Sequence, residues 1–236
     1  MFTSSPQQKH WLICRDGYRR YFHQLGGKVD ITGAVTPIAG DTLRLYAIID
    51  THDPAVCIEC TRFRLMPLVW SLPCCYLDTP LYYKIINDSQ IDVLNEFIKT
   101  PPDLGYLENF PKDLDQFPEM HASLQVSTDT EISSIINANI MTQHRISWYS
   151  DEYWGEFNAS IGGMPLLYHL FHINPICPCC RNPLPFLASL GTSFARLVQP
   201  GESTTEQLLY FYCRKCNIIA VFFDKTMEEA GAILQE

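Results

Sequence analysis

Two short cysteine motifs in the C-terminal part of the chain restrict its fold more than any other feature. They lie at Cys177–Cys180 and Cys213–Cys216, and each contains a C-x-x-C step. This step lets two thiolates from one tight turn bind the same tetrahedral ion, and four such sulfurs form a closed structural zinc site. The spacing therefore predicts one structural zinc ion, bound by Cys177, Cys180, Cys213 and Cys216.

The residues around the second motif predict how it is held. Leu208–Tyr212 leads into it and Ile218–Phe223 leads out, and both runs are apolar and short enough to be strands. Cys213–Asn217 is then the turn between two strands, which is half of a zinc ribbon. The first motif would lie on a loop that precedes this hairpin.

Two other interpretations of these cysteines stay open. Buried free thiols are common in protein cores. A redox pair is less favoured, because redox C-x-x-C motifs start a helix after a strand, whereas Cys213 lies in a predicted hairpin. Cys179 could replace a neighbour as ligand or point away from the site.

A third C-x-x-C step, at Cys57 and Cys60, raises the question of a second metal site. Cys74 and Cys75 follow it, and His52 precedes it. Adjacent cysteines rarely bind one ion together, and the intervening Phe63–Trp70 has the composition of a core strand. Buried thiols are therefore the favoured interpretation of these four cysteines.

Composition and charge restrict the class of protein. The chain has 236 residues, 47% of them apolar, which suffices for one domain over 1–236 or for two parts, 1–145 and 146–236. A formal net charge of −9 argues against non-specific nucleic-acid binding. Met1–His10 does not resemble a signal peptide, and no apolar run is long enough for a membrane span. Ten cysteines then suggest a reducing compartment, the cytoplasm.

The apolar patterns predict an α+β fold with mixed or antiparallel sheets flanked by a few helices. Strands are expected at Leu43–Ile49, Phe63–Trp70 and Leu81–Ile86. Helices are expected after Asp88 or Ser89, after Asp129 or Thr130, and from Thr226. The apolar faces of the first two would be formed by Ile91, Leu94, Phe97 and Ile98, and by Ile132, Ile135, Ile136 and Ile140. A similarity between 67–72 and 165–170 is consistent with two related halves.

Two stretches have the composition of binding surfaces. Residues 84–131 carry ten acids and three lysines, a net charge of −7. This segment is either a solvated face or a docking surface for a basic protein. Residues 148–157 mix five aromatic side chains with three acids, which suits an interface anchor, although core packing is slightly more favoured. The candidate partner-binding residues are Asp113, Asp115, Trp148, Tyr149, Asp151, Glu152, Tyr153 and Trp154.

The order of four motifs resembles the YwqG-like domain family, a bacterial domain of unknown function. The motifs are Ile161–Pro165, Cys177–Cys180, Pro185–Leu190 and Tyr210–Cys216. The chain departs from the family at 166–169, where Leu-Leu-Tyr-His stands in place of a polar or Trp-bearing strand. The resemblance implies an α+β fold and no established enzymatic activity. It also implies kinship with candidate immunity proteins that neutralise antibacterial toxins.

These observations together predict a zinc-binding interaction module and not an enzyme. The resemblance implies that its partner is a cognate toxin, and the acidic stretch suits a basic one such as a nuclease, because a carboxylate patch can mimic nucleic-acid phosphates. One alternative is a metal-dependent enzyme, but four thiolates would close the site and no catalytic motif is present. The other is a zinc-ribbon nucleic-acid binder, which only Arg181, Arg214 and Lys215 favour. The sequence does not define the oligomeric state.

Overall fold

The fold is built from β-strands. The computed structural model describes residues 11–15, 20–35, 43–56, 62–71, 80–97, 117–126, 159–162, 174–191 and 207–224. Eleven strands lie in this part of the chain. They are β1 Trp11–Arg15, β2 His23–Gly27, β3 Arg44–Asp50, β4 Leu65–Trp70, β5 Leu81–Asn87, β6 Gln90–Val93, β7 Phe117–Val126, β8 Ala159–Ile161, β9 Phe186–Gly191, β10 Gln207–Cys213 and β11 Ile218–Asp224.

All eleven strands belong to one sheet, and every pairing between neighbouring strands is antiparallel. Their order is β4-β3-β2-β7-β1-β8-β9-β10-β11-β5-β6. The hairpin β10–β11 lies between β9, the strand that precedes it, and β5, a strand from much earlier in the chain. This placement matters because the second cysteine motif is the turn of that hairpin.

The two ends of the sheet meet. The Asp88 carboxylate, in the β5–β6 turn, accepts hydrogen bonds from the backbone N–H groups of Arg64 (2.6 Å) and Leu65 (3.0 Å), where β4 begins. Thr32, beyond β2, exchanges backbone hydrogen bonds with Ser89 and Ile91 on the other end. Since these bonds join β4 and the segment after β2, at one end of the order, to the β5–β6 hairpin at the other, the sheet folds back on itself around a common interior.

That interior contains the main hydrophobic core. Its largest fully buried side chains include Trp70, Tyr83 and Tyr210. The Tyr83 hydroxyl donates to the carbonyl of Pro67 at 2.8 Å and accepts from the N–H of Val69 at 3.3 Å. Burial raises the pKa of Tyr83 far above its ordinary value, so the hydroxyl remains a donor. These bonds pin β5 against β4 across the fold.

Five strand predictions are confirmed, at β3, β4, β5, β10 and β11. All five are apolar runs that the structure buries. Pro67 lies inside β4, where a proline removes one ladder hydrogen bond. The Pro67 carbonyl accepts a hydrogen bond from the Tyr83 hydroxyl, which ties β4 to β5.

The helix predicted after Asp88 or Ser89 is wrong. Those two residues form a turn, followed by β6 and a single 3₁₀ turn at Asn95–Phe97. The Asn87 side chain accepts the N–H of Ser89 and stabilises the turn. Ile91 and Val93 are buried on either side of the exposed Asp92, so the apolar period that the fold uses is two. Ile98 lies outside the described residues.

Of the expected α+β class, the described residues therefore show the β part, as one antiparallel sheet. In the described ranges the helical segments are two 3₁₀ turns, at Pro54–Val56 and Asn95–Phe97. The helices predicted from Asp129 or Thr130 and from Thr226 lie outside these ranges.

Candidate metal centre

The first cysteine motif lies on a small hairpin that precedes β9. Ile176 and Pro183 form an isolated antiparallel bridge, and the Leu184 N–H donates to the carbonyl of Pro175 at 2.9 Å. Inside this frame the Arg181 N–H donates to the Cys177 carbonyl at 2.9 Å. The hairpin thus bends the chain tightly enough to present Cys177 and Cys180 together.

The second motif forms a turn with the same construction between β10 and β11. The Asn217 N–H donates to the Cys213 carbonyl at 2.8 Å, as the Arg181 N–H does to Cys177. Arg181 and Asn217 also share the left-handed backbone, with φ of 61° and 57°. We call these two turns the knuckles, 177–181 and 213–217. Each is a short loop whose first and fourth residues are cysteines.

Asn217 also fixes the second knuckle to the sheet. Its side-chain oxygen accepts a hydrogen bond from the Tyr212 hydroxyl at 3.0 Å. Its backbone carbonyl accepts the Ile85 N–H of β5 at 2.8 Å. Asparagine adopts the left-handed region more readily than most residues, so one residue supplies the turn and both anchors.

A second hydrophobic cluster joins the two knuckles on the face of the sheet opposite the main core. It contains Cys177 and Leu184 from the first hairpin, with Phe211 and Ile218 from β10 and β11. The Phe211 ring makes edge contacts with Phe186 and Phe222, at centroid distances of 5.8 and 5.6 Å. Packing of β9 on β10 therefore brings together knuckles that are separated in sequence.

The four cysteine sulfurs converge as predicted. The Sγ atoms of Cys177, Cys180, Cys213 and Cys216 all lie within 4.8 Å of one another. The Cys180 and Cys213 sulfurs, one from each knuckle, are 3.6 Å apart. A tetrahedral ion with Zn–S distances of about 2.3 Å separates its ligands by about 3.8 Å, whereas a disulfide requires about 2.05 Å. The spacing fits a metal ion and not a disulfide.

The thiols of this cluster differ in how readily each gives up its proton. A hydrogen bond from the Asn182 backbone N–H lowers the pKa of Cys180 to about 7. Burial raises the pKa of Cys213 to about 11 and that of Cys216 to about 12, and the neighbouring cysteines add to this. Four thiolates this close repel one another, so a cation is needed to hold them all deprotonated. The residues therefore fit a metal site.

The donor set narrows the kind of metal. Four sulfurs in a tetrahedral arrangement are typical of zinc and of iron. Cys177 and Cys213 are buried, while Cys180 and Cys216 are half-buried. Cys179 is exposed and is not one of the four clustered residues, which answers the question of whether it replaces a neighbour.

Most other predicted site residues lie outside the described part of the chain. This applies to the candidate partner-binding residues and to the cysteines of the third C-x-x-C. They are Asp113, Asp115, Trp148, Tyr149, Asp151, Glu152, Tyr153, Trp154, Cys57, Cys60, Cys74 and Cys75.

The sequence analysis missed a buried polar cluster between β2, β3 and β4. His23 Nε2 lies 2.9 Å from the Asp53 carboxylate, and His23 Nδ1 accepts the Asp50 N–H at 3.3 Å. The fully buried Asp50 carboxylate accepts from Arg64, at 2.9 and 3.1 Å, and from the backbone N–H of Phe22. Burial acts to raise the pKa of Asp50, but these donors outweigh it and the pKa is lowered. The sequence signal was too dispersed to reveal the cluster, since its members come from separate segments.

The cluster is built to hold strands together. Both ring nitrogens of His23 have partners, and the Thr51 hydroxyl donates to the carbonyls of Phe63 and Arg64. A general base needs a nitrogen or oxygen that can reach a substrate proton. Because the His23 nitrogens are engaged within the protein, we assign this cluster a structural role.

No family model, curated protein or solved structure matches the chain. The resemblance to the YwqG-like family therefore stays a prediction. Within the described ranges, no helix is long and apolar enough to cross a membrane.

Proposed function

We propose that this chain is a protein-interaction module whose C-terminal part is held together by a structural zinc ion. The convergence of four cysteine sulfurs within 4.8 Å, two from each knuckle, supports the metal ion, and the exposed carboxylates of the acidic stretch 84–131 support the interaction. The knuckles also close the second hydrophobic cluster, to which Cys177 and Cys213 contribute directly. An ion bound there would join β10–β11 to the hairpin that precedes β9.

The donor set favours a structural ion over a catalytic one. A catalytic zinc keeps an open position for water or substrate and has three protein ligands, whereas four thiolates fill the tetrahedron. This chemistry weighs against a metal-dependent hydrolase at the knuckles. The polar cluster around His23 offers no alternative centre, since its ring nitrogens are already engaged.

We further propose that the binding partner is a basic protein, a cognate antibacterial toxin that this chain neutralises in the cytoplasm. The support is the acidic stretch 84–131, with its net charge of −7. Its described carboxylates Asp88, Asp92, Glu96 and Glu119 are exposed. Exposed charges of one sign speed the encounter with a partner of opposite sign. The aromatic and acidic stretch 148–157 would supply the short-range energy of the complex.

The test uses the protein encoded by the gene next to this chain's own, and a neighbouring protein that is not basic would already count against the proposal. Binding kinetics and thermal unfolding are measured in parallel for Trp148→Ala, Trp154→Ala and the double variant Asp113→Lys with Asp115→Lys. The tryptophan variants should speed dissociation, with a loss of about 2–4 kcal/mol each. The aspartate variant should slow association, and salt should do the same for the parent protein.

Three results would contradict this partner assignment. Early unfolding of a tryptophan variant would show that this tryptophan belongs to the core and not to an interface. Folded variants that bind as well as the parent show that the complex forms elsewhere. Stoichiometric zinc with no binding to the neighbouring protein would leave the metal site intact and overturn the toxin-neutralising role.

A further inference from the structure

The outer surface of the metal centre has the opposite charge to the rest of the chain. Three cationic side chains lie beside the ligand cysteines, namely Arg181 after Cys180, and Arg214 and Lys215 between Cys213 and Cys216. All three are exposed. Segments 174–191 and 207–223 contain no Asp or Glu, on a chain whose net charge is −9. With four thiolates and one Zn²⁺ the centre itself carries a charge of −2, so these three cations leave the knuckles with a net charge of +1 on an acidic chain.

The convergence of the sulfurs brings together the backbone segments that carry the three cations. Each adjoins a ligand cysteine, and the four Sγ atoms lie within 4.8 Å of one another. The Arg181 backbone is fixed by its N–H bond to Cys177. A fixed cationic group loses little backbone freedom when a partner binds.

An exposed apolar pair lies on the same hairpin. Ile176 is 51% exposed although it is a large aliphatic residue, and it is bridged to the exposed Pro183. This hairpin bears Arg181 at its turn. An apolar pair next to a cationic group is the arrangement that binds a peptide containing both apolar and acidic side chains.

We infer that the knuckle surface, formed by Ile176, Arg181, Pro183, Arg214 and Lys215, is a docking site for an acidic protein segment that also carries apolar side chains. This site goes beyond the proposed binding of a basic toxin, because its charge is of the opposite sign. Charge complementarity identifies the occupant as acidic, and Ile176 with Pro183 selects a segment with aliphatic side chains. A nucleic acid is less favoured, because its phosphate backbone has no aliphatic side chains to cover the exposed Ile176 and Pro183.

The experiment measures binding of three fluorescent probes to the full chain loaded with zinc. The probes are a decapeptide of alternating Glu and Leu, the same length of alternating Glu and Ser, and a ten-nucleotide oligo-dT. The test variant is Arg181→Glu with Lys215→Glu. Its control is Arg20→Glu with Lys28→Glu, which exchanges two exposed cations far in sequence from the four clustered cysteines for the same change in net charge. Ile176→Ser tests the apolar pair.

The Glu-Leu peptide should bind the parent more tightly than the Glu-Ser peptide. Arg181→Glu with Lys215→Glu should weaken Glu-Leu binding at least tenfold, and the control variant less than twofold. Ile176→Ser should weaken Glu-Leu binding while leaving Glu-Ser binding unchanged. Zinc content of each variant should equal that of the parent.

Several results would overturn the inference. Equal loss in test and control variants would mean that only net charge matters. Tighter binding of oligo-dT than of either peptide would make the site a nucleic-acid surface. Loss of zinc from Arg181→Glu with Lys215→Glu would show that the cations serve the metal centre, and absence of peptide binding to the parent would exclude docking altogether. None of these outcomes depends on the toxin assignment, which is tested with a basic partner.

Discussion

Arg181 and Asn217 occupy the same position in two turns of the same construction. Each follows the second cysteine of its motif, adopts a left-handed backbone with φ near 60° (61° and 57°) and donates its N–H to the carbonyl of the first cysteine. The left-handed residue reverses the chain after the second thiol, so both thiols face one side. Each knuckle therefore needs a residue that tolerates positive φ directly after its C-x-x-C step.

This relationship predicts a graded effect at Asn217. Asn217→Ala should lower the free energy of unfolding by about 2–3 kcal/mol, because it adds left-handed strain of about 1–2 kcal/mol and removes a hydrogen bond from Tyr212 worth about 1 kcal/mol. Asn217→Gly also loses the hydrogen bond, but glycine adopts the left-handed backbone without strain. The free energy of unfolding should therefore fall by only about half as much. Urea unfolding of the three zinc-loaded proteins measures both. Equal losses in the two variants would show that backbone conformation is unimportant here.

The proposed metal site predicts that substitution of Cys213 destabilises the protein and that substitution of Cys179 does not. Cys213→Ser should abolish stoichiometric zinc and lower the free energy of unfolding by about 3 kcal/mol or more, since metal binding is coupled to folding in such sites. For a chain of this size the melting temperature should fall by about 6–12 °C. The matched control is Cys179→Ser, which changes an exposed cysteine outside the cluster.

Both cysteine variants are compared with the parent by elemental analysis after purification without chelator and by thermal unfolding. Cys179→Ser should retain one zinc per chain and the parent's melting temperature. A parent protein without zinc, or a Cys213→Ser variant that is as stable as the parent, would contradict a structural metal. Iron in place of zinc would keep the site and change the identity of the ion.

The Asp50 carboxylate predicts a stability loss at acidic pH. Its folded-state pKa is lowered from the ordinary value of 3.8. Its contribution is therefore fully present above that value and is lost as the pH falls through the folded-state pKa. Asp50→Asn should cost about 2 kcal/mol at pH 7, because it weakens hydrogen bonds to a charged partner, and progressively less below pH 4. Urea unfolding at pH 7 and pH 3 tests this, with the exposed Asp30→Asn as control. A cost that does not change with pH would refute the ionised role of Asp50.

Gly33 lies where the backbone after β2 closely approaches β6, and this contact leads to a prediction about the stability of the protein. It has a φ of 84°, and a Cβ atom there would overlap the carbonyl oxygen of Ile91. Gly33→Ala should therefore cost about 2–4 kcal/mol through strain and displaced backbone. The neighbouring Thr32→Ala keeps the backbone hydrogen bonds to Ser89 and Ile91 and should cost less than about 0.5 kcal/mol. Similar melting temperatures for Gly33→Ala and the parent would mean that the contact is dispensable.

The sequence alone determined the features that depend on neighbouring residues. A C-x-x-C step fixes the reach of two thiols within one turn, so the four ligands could be chosen before their convergence was known. The apolar runs around Cys213 and Cys216 likewise define a hairpin, because strands and their turn are contiguous. The coarse prediction of a sheet-rich chain with a cysteine cluster follows from such local patterns.

Tertiary structure alone decided the features that depend on distant pairings. Ile91, Leu94 and Phe97 fit a helical period in sequence, but pairing of β6 with β5 buries Ile91 and Val93 and imposes the strand period. The Arg64 guanidinium donates to Asp50 and the Arg64 backbone N–H donates to Asp88. The spacing of these residues in the sequence indicates neither contact. Backbone hydrogen bonds between strands are the same whatever the side chains are, so the local sequence does not specify which strands pair. Packing in the folded protein selects the sheet order and brings its two ends together.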